Sequence, residues 1–133
     1  MFFLSLLVTL FLGVAAIYAI GVVLAVALLA LIEAYNAVKK RIVHSHYYKV
    51  AKILIKRLNN KVEQVVVVVG PDGNVMEQQQ SETFSAEEMR GTPIEKAFEE
   101  AERKFDSRVD GDVAIKLETT EKEEEEIRRI ANR

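Results

Sequence analysis

His44 and His46 are the only histidines in the chain. On one helix, residues two apart diverge by about 200°, so the pair cannot clamp a metal as an i, i+4 pair does. Beside Tyr47 and Tyr48 they fit the aromatic belt that gathers at headgroup depth in a membrane. Asp106, Asp110 and Asp112 offer carboxylates for a hard cation. A calcium loop needs alternating oxygen ligands, a central glycine and a closing glutamate in one register, and this stretch lacks that register. It reads as a solvated turn between a helix and a strand.

Gly70-Pro71-Asp72-Gly73 follows an apolar run as a phosphate loop would. It leads into a second strand rather than a helix N-terminus, and no Gly-Lys-Ser/Thr follows. Glu123 to Glu126 form an acidic helix face, favourable near a helix start. No serine stands in a nucleophile elbow, and nothing assembles nucleophile, base and orienting group. The expectation is a protein that is not an enzyme, with no catalytic, cofactor-binding or metal-binding residues. With no cysteine, disulfides, thiol catalysis and the usual zinc clusters are excluded.

The elements around these residues are dominated by the N-terminus. No charged side chain occurs from Met1 to Ile32, and Glu33 is the first. An uncharged run this long reads as a membrane-spanning helix, about 46 Å long at ~1.5 Å per residue. Ser5, Thr9, Gly13 and Ala16, with Gly21 and Ala25, form small-xxx-small patterns that let helix backbones approach closely in lipid. They are the expected packing face of the span.

Charge is split along the chain. Residues 33–61 carry eight Lys/Arg and one acid (+7), residues 62–133 ten Lys/Arg and nineteen acids (−9), which sum to −2. Lys39, Lys40, Arg41, Lys49 and Lys52 belong to the basic collar and are the expected contacts to anionic lipid, at ~1 kcal/mol each. The positive-inside rule then puts the N-terminus outside the cell membrane and the C-terminal domain in the cytoplasm. The acidic domain would repel phosphate, which argues against nucleic acid as a partner.

From Glu33 to Asn60 there is no proline or glycine, and apolar Val43, Tyr47, Val50, Ala51, Leu54 and Leu58 fall on one helical face. A basic amphipathic helix continuing the span is expected. Lys61–Val69, with five consecutive valines, is the clearest strand, apolar on both faces and so central. Val75 to about Thr83 returns as a polar edge strand with Gln78-Gln79-Gln80. Thr92-Pro93 opens a helix carrying Ile94, Ala97, Phe98, Ala101 and Phe105. Val113, Ile115 and Leu117 alternate as a third strand, and Thr120-x-x-Glu123 is a capping box for a last helix.

The expected fold is a membrane-anchored α+β protein: a transmembrane helix (1–32), a basic juxtamembrane helix (33–60) and a small acidic ββαβα domain (61–133). Its mixed sheet would have three strands in the order 2-1-3, with the second and third parallel through a right-handed crossover. The helix-strand-strand-helix-strand order is similar to the small ring-building domains of bacterial secretion assemblies, and loosely to type II KH folds. The Gly-x-x-Gly loop of KH domains is missing at Met89-Arg90-Gly91-Thr92, so RNA binding is not implied.

The expected function is that of a single-pass membrane-anchored structural or assembly protein. It would self-associate through its span and long helix and present a small domain for protein–protein contact. The alternative is an accessory subunit of a larger membrane enzyme complex. The partners expected are the lipid bilayer and either copies of the same chain or other membrane subunits.

Overall fold

The computed structural model describes residues 4–42, 49–56, 60–71, 75–104 and 112–133. The chain is α+β. Its elements are β1 (Leu4–Phe11), α1 (Val14–Tyr18), α2 (Val22–Arg41), β2 (Lys49–Lys56), β3 (Lys61–Val69), β4 (Val75–Ser85), a 3-10 turn (Ala86–Met89), α3 (Pro93–Lys104), β5 (Asp112–Glu118) and α4 (Glu121–Ala131).

The uncharged N-terminal run is therefore not one helix. Its two glycines divide it. Gly13 and Gly21 are the extended residues that precede α1 and α2, and the stretch before Gly13 is strand β1. One helix, α2, is long and apolar enough to cross a membrane, and 44% of its apolar window is buried inside the fold. The expected basic helix over 33–60 is also corrected. Helix α2 ends at Arg41, and Lys49–Lys56 is strand β2. Val50 and Leu54 pack with the helices, whereas Ala51 and Ile53 pack on the opposite face of the sheet. That is a period of two, not 3.6.

The sheet has five strands in the order β1-β5-β2-β3-β4, where three in the order 2-1-3 were expected. Strand β2 lies between β3 and β5, antiparallel to both, and β4 is antiparallel to β3. It follows that β4 and β5 run in opposite directions, so the connection through α3 is not the parallel crossover anticipated. Strand β1 closes the far side, parallel to β5. The valine-rich β3 is central and β4 is an edge, as their compositions require.

The first core lies between the sheet and the helices. Leu24, Leu28, Leu31 and Ile32 of α2 and Ile127 and Ile130 of α4 meet Leu54, Val62, Val66, Val68, Ile115 and Leu117. Each such side chain, fully buried, contributes about 1.5–3 kcal/mol of transfer free energy. Helix α4 runs back along α2. Its first turn and Tyr35 of α2 meet at Lys52, while Arg129 near its end lies over Tyr18, just before α2. The second core, on the other face, joins Ala51, Ile53, Val65, Val67, Val75 and Ala114, all from strands.

Local signals explain the later elements. Thr92 Oγ1 accepts from the Glu95 amide at 3.4 Å and donates to the Met89 carbonyl, which sets the start of α3. Gly91, at φ +80, makes the turn before it. Thr120 Oγ1 accepts from the Glu123 amide at 3.2 Å, and the Glu123 carboxylate accepts from the Thr120 amide at 3.3 Å. This reciprocal cap satisfies donors that a helix start leaves open.

Candidate functional site

Strand β2 places Lys52 on the helical side of the sheet, with only 6% of its side chain exposed. A buried ammonium is costly unless its donors are taken up. Here Lys52 Nζ donates to Thr119 Oγ1 at 2.7 Å and to Glu124 Oε1 at 2.8 Å. Thr119 Oγ1 in turn donates to Glu124 Oε1 at 2.9 Å. The Tyr35 ring offers its face to the same ammonium, 5.0 Å from the ring centre, and Lys39 lies 5.8 Å from that ring. One lysine thus ties β2 to α2, to α4 and to the segment joining β5 and α4.

The set is an ion pair with its donors taken up within the cluster. The Glu124 carboxylate beside the lysine is already ion-paired with it. No group of three or more metal-ligating side chains occurs among the described residues. An open cleft of about 330 Å³ lies at the base of the β3–β4 hairpin, lined by Asn60, Lys61, Thr83, Phe84 and Ser85. It brings no acid–base pair together. The buried cluster fixes how α2 and α4 sit on the sheet.

Two further buried polar groups lie on this side. Gln64 of β3, fully buried, donates through Nε2 to the Ala27 carbonyl of α2 at 2.8 Å, and its Oε1 has no partner. Glu123 Oε2 is buried without a partner, while Oε1 completes the cap.

The expected lipid contacts divide. Lys39, Lys40 and Arg41 fill the last turn of α2 and are exposed, Arg41 pairing with Glu77 of β4. Lys49 is exposed at the start of β2. Lys52 cannot reach lipid, because it is buried in the cluster above. The expected span-packing residues do not share a face. Ser5 and Thr9 lie on β1, Gly13 precedes α1, Ala16 lies in α1, Gly21 precedes α2, and Ala25 is buried in α2. His44, His46, Tyr47, Tyr48, Asp106 and Asp110 lie outside the described residues, and Asp112 opens β5.

A surface feature accompanies the cluster. Phe11 (76% exposed) ends β1, and Tyr18 (55%) ends α1. Val22, Val23 and Val26 are exposed on the first turns of α2. Arg129 lies 5.7 Å from the Tyr18 ring centre and makes two hydrogen bonds to Glu126 Oε2, at 3.0 and 2.8 Å. The Glu126 carboxylate holds the Arg129 guanidinium above its ordinary value. Exposed apolar side chains thus occur on the first turns of α2 and before it, with Arg129 beside Tyr18 and Lys39, Lys40 and Arg41 in the last turn of α2.

No protein-family model, curated protein or solved structure matches this chain.

Proposed function

We propose that this chain is a membrane-associated structural or assembly protein that works through protein–protein contact rather than catalysis. The observation that supports this most is the uncharged stretch before Glu33 together with helix Val22–Arg41, whose exposed side carries Val22, Val23 and Val26. Phe11 and Tyr18 are exposed as well, and Lys39, Lys40 and Arg41 end α2 with exposed cationic side chains. A helix that spans the bilayer would have to leave the sheet and uncover Leu54, Val62, Val66 and Val68. Contact of the folded domain with the bilayer surface avoids that loss of burial. Self-association is part of the same reading.

The test is extraction of native membranes. Release of the protein by alkaline carbonate, with flotation on vesicles containing phosphatidylserine, supports surface attachment. Retention after carbonate supports a span, and protease protection then tests whether the C-terminal domain faces the cytoplasm. Recovery in the soluble fraction with no flotation rejects the membrane reading.

A further inference from the structure

We infer that β1 is a self-association edge, and that its occupant is β1 of a second copy of this chain, paired antiparallel. This rests on the reading of the chain as a self-associating protein and names the surface involved. Among the described residues β1 is hydrogen-bonded on one side only, to β5. The other side presents the backbone N–H and C=O groups of alternate residues without a ladder.

The two edges of the sheet are built differently. Strand β4 exposes Glu77, Gln78, Gln79, Gln80 and Glu82, and its register shifts at two places. Charge and irregularity are the usual means of discouraging edge pairing. Strand β1 has no charged residue and no proline, and from Leu6 to Phe11 its register against β5 is unbroken. Thr9 and Phe11 are exposed and Val8 and Leu10 half-buried, so this edge is accessible.

The choice of occupant follows from complementarity. Lipid cannot accept an open strand edge, because hydrocarbon satisfies no backbone group. An exposed, uncharged strand edge therefore calls for a strand. Strand β4 of another copy would bring glutamates to an uncharged strand and, being a head-to-tail contact, would propagate into fibres. Strand β1 of another copy brings no charge, and a two-fold axis normal to the sheet sets the strands antiparallel and closes the assembly. The two five-stranded sheets then join into one of ten. Both helical layers fall on the same side, so the exposed valines of the two α2 helices face one surface together.

The chain contains no cysteine, which makes cross-linking direct. The full-length protein is purified in mild detergent and its mass measured by light scattering with the detergent contribution subtracted. Single cysteines are placed at Leu7, Thr9 or Phe11 and oxidised. A mass of two copies is expected, with disulfide yield peaking at the position on the two-fold axis and falling away from it. Thr9→Glu stands opposite Lys116, which also pairs with Glu118, so the new carboxylate meets a cation within its own sheet, but it sets two carboxylates into the uncharged pair. It is expected to halve the mass, whereas Gln79→Glu on the other edge leaves it unchanged. A dimer that survives Thr9→Glu and cross-links equally at all three positions overturns the β1 interface and leaves self-association standing through another surface. A monomeric parent protein overturns both. Vesicle flotation of the same samples reports the membrane reading separately.

Discussion

Removing Glu124 should destabilise this protein far more than removing its partner Lys52. The reason is unequal burial, since the lysine side chain is 6% exposed and the glutamate 23%. In Glu124→Ala the ammonium keeps Thr119 and the Tyr35 face but loses its counter-charge in a mostly buried site. Breaking a buried pair in this way costs about 3–5 kcal/mol, and the surviving contacts place this case near 3. In Lys52→Met the stem is replaced by a chain of similar length. Glu124 keeps its bond from Thr119 and can turn toward solvent, so the loss is about 0–1 kcal/mol. The double variant should match Lys52→Met, giving a coupling equal to the Glu124→Ala loss, about 3 kcal/mol. Urea unfolding followed by far-UV circular dichroism reads this as a midpoint lowered by roughly 1–3 M in Glu124→Ala at unchanged slope. Equal losses in the two single variants, or a larger loss in Lys52→Met, would refute the account of the cluster as a lysine held by its acid.

Gln64→Met should be neutral or stabilising by about 1 kcal/mol, because it removes the partnerless Oε1 along with a single bond to a carbonyl within α2. Gln64→Ala, which leaves a cavity, should cost about 2 kcal/mol or more, and thermal melts of the pair will separate them. Thr120→Ala removes the side-chain half of the α4 cap and should cost about 1 kcal/mol, visible as a melting point lower by a few degrees. Gly91→Ala meets no atom within 4 Å yet must adopt φ +80, so about 1 kcal/mol of loss in urea unfolding is expected from backbone conformation alone.

Elements with local chemical signals were legible in the sequence. The five valines and the following turn residues located the β3–β4 hairpin, Thr92-Pro93 located α3, and Thr120 with Glu123 located α4. Strand β1 was not legible because every position in its neighbourhood is uncharged, and the length of the run outweighed the breaks at Gly13 and Gly21. Strand β2 satisfies helical and strand spacing at once. What decides it is tertiary, since β3 needs a partner on the side that β4 does not occupy, and Lys49–Lys56 supplies it in unbroken register. Losing β2 also lost the topology, because the inserted strand reverses the direction of β5 relative to β4. The Lys52 cluster had no sequence signal at all, as its two charges lie 72 residues apart. Lys52 resembled any other member of the basic collar until β2 turned it inward.

The parallel pairing of β1 with β5 also sets a clock during synthesis. The apolar N-terminal run is complete at Ile32, but β5 ends only at Glu118, 86 residues later (118 − 32). At ~5–20 residues per second, roughly 4–17 s separate the two events. Through that interval the nascent chain displays an uncharged segment that has no strand to join. Once β5 is in place, β1 pairs with it and that edge is taken up. Slowing translation between Glu33 and Glu118 would lengthen that interval with no residue changed.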